Sequence, residues 1–294
     1  MRSLAGVAVI LLGIDGKPSK APIVVIPSCF SNITARALDT DVGNSTSTLL
    51  HDSQSEHAVI DIAFYDTRDR PDTAAMSRSA SSCTNSTRAT VRLHAIVGAG
   101  ASLQQVQQKL PGFQVTLLKL PAQGKCLYSG FKRLSHGPGP QYLYKPLLHF
   151  VVPTYVQRLI VLDSDVVMIR DVRELYAQFD KFGSAVLGIS SEQSKIFKDI
   201  DGKNGGVQLH DISRMRRSIE YNALLDEHAS GRAGKRIGFL GDQTLYTYLA
   251  GQRPDLFYKL PCEWNRQISM HFGFRDPKAC RGELGTLNVL HTAA

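Results

Sequence analysis

The sequence predicts an α/β protein, a single domain with a mostly parallel sheet flanked by helices. Two observations lead there. From residue 58 onward, short strand-like runs alternate with helix-compatible stretches, the order that βαβ units produce. One of those runs, Leu159 to Leu162, is apolar at every position, as expected of a strand covered on both faces. At 294 residues and 43% hydrophobic, the chain is long for one domain and short for two, and can build a full core.

The elements follow in order. Met1-Arg2 precedes "SLAGVAVILLGI", an apolar run too short to span a bilayer comfortably. It suits the hydrophobic part of a signal peptide, or a buried strand, since no clean cleavage site follows. Residues 17 to about 55 are rich in Ser, Thr, Pro and Asp, so residues 1–55 read as a leader or stem and residues 56–294 as the folded domain. Any membrane association is expected through the N-terminus alone. "AVIDIAFY" reads as a first strand by its alternation, residues 72–82 permit a helix, and "TVRLHAIVG" is a second strand. "SLQQVQQKL" is a helix, "FQVTLLKL" a third strand, and Tyr142 to Val152 a helical pattern ended by Pro153. After the apolar strand, Asp171 is a good N-cap with Glu174 at capping-box spacing, and Val172, Leu175, Tyr176 and Phe179 form one apolar helix face.

Charge and cysteines narrow the class. The formal net charge is +8, but Lys and Arg are spread without a concentrated stripe or interleaved aromatics, which argues against nucleic acid. Phosphorylated small molecules and anionic surfaces remain compatible. Five cysteines show neither CxxC nor zinc spacing; Cys262 and Cys280 are placed to form a disulfide in an oxidising compartment, and the odd count leaves a free thiol. Sequons at Asn32, Asn44 and Asn85 fit a secretory location, in the ER or Golgi lumen.

The chemistry gathers at "LDSDVV". Asp163 and Asp165 stand two apart at the end of a buried strand, where an extended chain points both side chains the same way. Two like charges held together need a cation between them or a shared proton. Hard oxygen ligands with open positions suit Mg²⁺ or Mn²⁺ bridging to phosphates. The C-terminal edge of an open α/β sheet is also where ligands bind. Two enzyme classes place such a pair there. A haloacid-dehalogenase-type phosphatase would need a second acid pair downstream, and "GDQTLY" lacks it. A nucleotide-sugar glycosyltransferase places the pair mid-chain, as here.

The ordered set "LDSDVV", "KNGGVQLHDISRMR", "FLGDQTLYTYLAG", "LPCEWNRQ" and "LNVLHT" resembles glycosyltransferase family 8 over about residues 57 to 291. "GPGPQYLYK", "YNALLDEH", "LGDQ" and "CEWNRQ" carry a narrower likeness to the xyloside xylosyltransferases; the glucoside xylosyltransferases and LARGE-type transferases share the commoner motifs. The resemblance implies a GT-A-type fold and a retaining transfer, best read as xylosyl, from a UDP-sugar to a glycan or glycoprotein. The alternative is a catalytically impaired sugar-binding homologue. It implies that Asp163, Asp165 and His291 hold the metal, with the imidazole tilting it toward Mn²⁺. Lys145, Ser164, Asn204 and Gly205 are expected along the donor, and Tyr65 beside uracil. Asp242 is expected on a sugar hydroxyl, or simply capping its helix, and Gln243 near the anomeric carbon. Trp264, the one Trp, and Asn265 are expected on the acceptor side, although Trp264 fits a core role equally well. The family usually continues past the metal histidine with a Gly-rich segment over the diphosphate; here only "TAA" follows, and those residues are expected to be poorly ordered.

Overall fold

The computed structural model describes residues 28–30, 59–136, 140–193, 201–238, 241–268, 280 and 288–291. The expectations for the apolar N-terminal run, for most of the stem and for residues 292–294 fall outside these. Seven strands form the main sheet: β1 (Ile60–Asp66), β2 (Val91–Val97), β3 (Phe113–Leu117), β4 (Leu159–Leu162), β6 (Leu187–Ser191), β7 (Lys203–His210) and β8 (Phe257–Lys259), in the order β3-β2-β1-β4-β7-β6-β8. All run parallel except β7, which is antiparallel to both β4 and β6. A second sheet joins β5 (Val166–Met168), β10 (Val289–His291) and β9 (Arg266–Gln267).

The sheet lies between two apolar clusters. Alternate residues of β1 enter each: Ala63 and Tyr65 one, Ile60, Ile62 and Phe64 the other. Over the second face lie α1 (Thr73–Asn85), capped by Asp72, α2 (Leu103–Lys109), capped by Ser102, and α4 (Val172–Tyr176). Over the first lie α3 (Ala122–Leu134), α6 (Ile219–Ser230), α7 (Asp242–Gln252) and a 3-10 helix, Pro140–Phe150; the short α5 (Ile212–Arg217) adds Ile212 and Met215.

Several expectations change. The alternation read in β1 does not mark a solvent face, because all seven residues are buried. Of its two acids, Asp61 is held by Arg92 Nε at 2.5 Å and by His94 Nε2 at 2.6 Å; burial raises its pKa, but these partners hold it below the usual carboxylate value. The 142–152 pattern folds as a 3-10 helix ending at Phe150, with Pro146 inside it. Proline removes a donor and clashes with the preceding turn, so a regular α ladder cannot run through it. The Asp171 cap forms, accepting from Arg173 N at 2.9 Å, but Glu174 turns to Arg170 at 3.7 Å instead of closing the box. Helix α3 is not among the expected elements, because its Gly124 and Gly130 depress helix propensity. A Cβ on Gly130 would sit 2.2 Å from the Ala229 carbonyl oxygen, so this glycine lets α3 approach α6.

Cys262 and Cys280 are bonded as expected. An unanticipated second disulfide joins Cys29 to Cys126, and Cys29 N donates to Asp226 Oδ1 at 2.6 Å. Cys29 and Phe30 pack against the core, so this part of the expected stem belongs to the folded unit. Cys83 is free and buried, its thiol pushed up to about 12 by burial. Among the described residues no helix is long and apolar enough to cross a membrane.

Two histidines are held neutral inside this core. Burial lowers His149 to about 4 and His210 to about 3. The unfolded chain protonates both near their ordinary value, whereas the folded chain does not. Their contribution to stability is therefore full above about pH 6.5 and falls as pH drops toward 4. Urea unfolding across that window should show this acid-side loss, and His149→Gln should reduce it while leaving the His210 share.

Candidate functional site

The site forms where β4 ends. Asp163 is the first residue past that strand, and Val166 N donates to the Asp163 carbonyl at 3.3 Å. A turn, not the alternation of an extended strand, therefore brings the two acids together, with Ser164 half-buried between them. β10 pairs antiparallel with β5, setting His291 opposite Val166. This places His291 Nε2 3.4 Å from Asp165 Oδ1 and 3.9 Å from Asp163 Oδ2. The ligating atoms of all three residues lie within 4.8 Å of one another. Burial lowers the His291 pKa and raises that of Asp165, but their mutual attraction prevails, so His291 ends raised and Asp165 lowered.

Gly206 makes room for the imidazole. A Cβ there would lie 2.2 Å from His291 Cε1. The Gly206 carbonyl also accepts from Asp163 N at 2.9 Å, tying β7 to the end of β4. The β6–β7 ladder slips between Ile189 and Ser190, which pair with Gln208 and Asn204. Gly205 to Val207 are thus left without partners in β6, an irregularity of the kind that re-aims backbone at sites.

Lys145 is the buried centre of the arrangement, rather than a solvated helix charge. Its Nζ donates to Asp163 Oδ1 at 2.7 Å and to the Gly205 carbonyl at 3.1 Å, and lies 3.5 Å from Asp242 Oδ2. Burial lowers its pKa, yet Asp163 and Asp242 raise it further than burial lowers it. Asp242 does not cap its helix: Gly241 occupies the cap position, and Asp242 opens the first turn, buried. Burial pushes its carboxyl up to about 6, against the pull of Lys145, and Oδ2 makes no hydrogen bond. Gln243 stands beside it, half-buried.

Asn204 and Asn265 meet, although expected on opposite sides of the site. Asn265 Nδ2 donates to Asn204 Oδ1 and to Ser190 Oγ, both at 2.8 Å, while Asn204 Nδ2 donates to Glu192 Oε2 at 2.8 Å. Asn265 is fully buried and acts on Asn204, not on an open acceptor surface. Trp264 is only 4% exposed and packs in the second core cluster, its ordinary reading. Tyr65, expected at uracil, is buried, and its hydroxyl donates to the Gln141 carbonyl. Ser190 and Glu192 were missed because no motif marks them; sheet pairing alone brings the end of β6 to Asn204.

A divalent ion fits the residues present. Two carboxylates and an imidazole converge, the His291 ring is buried in a cradle only glycine leaves open, and its Nδ1 has no hydrogen-bond partner. The Cys262, Glu263 and Cys280 group offers no second site, because its two sulfurs are bonded to each other.

Comparison with known proteins gives the same fold. No protein-family model matches the chain. Xyloside xylosyltransferase 1 from Mus musculus is 29% identical over 167 residues, covering 47% of this chain and 43% of its own length. Xylosyl- and glucuronyltransferase LARGE1 from Homo sapiens is 31% identical over 170 residues, covering 53% of this chain and 22% of its own length. The chain thus spans less than half the length of these curated relatives. Among solved structures, apo mouse xyloside xylosyltransferase 1 superposes with a TM-score of 0.62 at 22% identity, covering 81% of this chain and 98% of that one. The galactosyltransferase LgtC, in complex with donor and acceptor sugar analogs, superposes at 0.55 and 14% identity, covering 80% and 87%. The chain is a homologue of xyloside xylosyltransferase 1 and the LARGE xylosyl- and glucuronyltransferases, and it has the fold of the GT-A glycosyltransferases.

Proposed function

We propose that this protein transfers a sugar, xylose as the best match, from a UDP-sugar to a glycan or glycoprotein acceptor in the lumen of the secretory pathway, with retention of configuration. The observation that carries this is the convergence of Asp163, Asp165 and His291 at the end of β4. Homology to transferases named for xylosyl transfer supports the donor class, and the two disulfides support an oxidising compartment. Neither the phosphatase reading nor an inert sugar-binding role is favoured by these relatives.

When bound, Mn²⁺ on Asp163, Asp165 and His291 would supply Lewis-acid stabilisation of the charge that develops on the leaving diphosphate. The chain's own residues do the rest. Lys145 presents a permanent positive charge at the same edge, aimed by Asp163 and the Gly205 carbonyl. Asp242 Oδ2 is buried, pairs with the Lys145 ammonium at 3.5 Å, and is placed to accept from a sugar hydroxyl as well. Asn204, fixed by Glu192 and Asn265, holds the Gly205-Gly206 backbone where a sugar ring can approach closely. Gln243 is a weak nucleophile, so the acceptor hydroxyl attacks on the face that UDP leaves. Its proton passes to a diphosphate oxygen.

Three outcomes test this. A panel of UDP-sugars should show Mn²⁺-dependent UDP release, fastest with UDP-xylose; release from none would end the transferase reading. Asp165→Asn should cut turnover at least about 100-fold at saturating donor while the thermal midpoint stays near wild type, because the near-isosteric amide removes the ligand charge but keeps the packing beside His291. Gly206→Ala forces the His291 ring aside, so calorimetric titration should show Mn²⁺ affinity weakened by about 10–100-fold, the range typical of residues that orient a ligand.

A further inference from the structure

The residues placed above would hold a metal, a diphosphate and a sugar, but offer a nucleobase no surface. Tyr65 and Trp264, the aromatics expected to meet ligands, are 8% and 4% exposed. Tyr142 is 44% exposed, and it stands in the first turn of the 3-10 helix that carries Lys145. Lys145 Nζ lies 5.7 Å from the Tyr142 ring centroid and 2.7 Å from the metal-site carboxylate of Asp163. The residue before it, Gln141, is tied through its carbonyl to Tyr65 near the end of β1. Tyr142 therefore spans from the phosphate end of the site to the mouth of β1, where open α/β sheets hold nucleotides.

We propose that Tyr142 is the platform on which the nucleobase of the donor stacks, with Tyr65 as a positioning residue. This rests on the UDP-sugar reading above. The Tyr65 hydroxyl donates to the carbonyl of Gln141, the residue immediately before Tyr142, and so pins the backbone that carries the ring. An exposed aromatic face accepts any base, and holding it from behind lowers the cost of ordering it. A nucleotide fits better than an acceptor glycan, because the ring stands beside the Lys145 ammonium, which itself reaches the metal-site carboxylate of Asp163. The residues expected around the sugar, Asn204, Asp242 and Gln243, belong to β7 and α7 instead. The other strongly exposed tyrosine, Tyr155, is engaged by Arg92 and Gln114 of β2 and β3, away from the metal residues.

Calorimetric titration of the full chain with UDP and with inorganic pyrophosphate, each with Mn²⁺, separates the base from the phosphates. Tyr142→Ala should raise the UDP dissociation constant about ten-fold or more, the loss of one base–aromatic stack, and leave pyrophosphate within about two-fold. Tyr142→Phe, which keeps the ring, should bind UDP like wild type. Tyr65→Phe should show a smaller loss with the same selectivity and no change in thermal midpoint. Equal losses for UDP and pyrophosphate would mean that the ring serves Lys145 and would overturn the platform. So would unchanged UDP affinity with a raised acceptor KM. Wild-type protein that binds neither probe would sink the UDP-sugar reading itself, and the platform with it.

Discussion

A lysine buried to the end of its side chain constrains everything around it. The Lys145 ammonium cannot be left unpaired in a low-dielectric interior, so the fold must deliver acceptors to it. It takes them from three places at once: Asp163 after β4, the Gly205 carbonyl of β7 and Asp242 of α7. Removing one partner from such a buried pair costs about 3–5 kcal/mol in general, so these elements have little freedom to drift apart. The same charge that holds the scaffold together stands against Asp163, one of the three residues of the candidate metal site. The burial that makes Lys145 structural also makes its electrostatics strong.

The reversed strand β7 completes this geometry. Parallel strands bring their C-terminal ends to one edge, and β4 delivers Asp163 there. Because β7 runs the other way, it brings its N-terminal half, with Asn204 to Gly206, to that same edge. The slipped register with β6 frees Gly205 and Gly206 from one ladder, and side chains take up the freed groups: Gly206 N donates to Asn204 Oδ1, and the Gly205 carbonyl accepts from Lys145 Nζ and Gln208 Nε2.

Much of this was legible in the sequence, for identifiable reasons. The α/β class followed from alternating elements and from the uninterrupted apolar run of β4, both local patterns. The acid pair was visible because two carboxylates after such a run have few other uses. His291 and Lys145 have no local signature; only the ordered set of motifs pointed to them, and sheet pairing brings them to the acids. What escaped notice depended on long-range packing. The glycines of α3 look like helix breakers until α6 is seen against them, and Cys29 looks like part of a stem until Cys126 is found beside it. Tyr65 was expected at uracil from a motif match, and Trp264 fitted an acceptor or a core role equally; neither motif nor residue type reveals which way a ring faces.

The pairing of β10 with β5 has a consequence for biosynthesis. Of the three residues that converge at the metal site, two emerge from the ribosome together and the third comes only after β6, β7, α7 and β9 have been made. A nascent chain can therefore possess every strand of its main sheet, of which β8 comes last, before the third residue of the candidate metal site is made. Any product ending between β8 and His291 would keep that whole sheet and both acids, but not the imidazole that faces them.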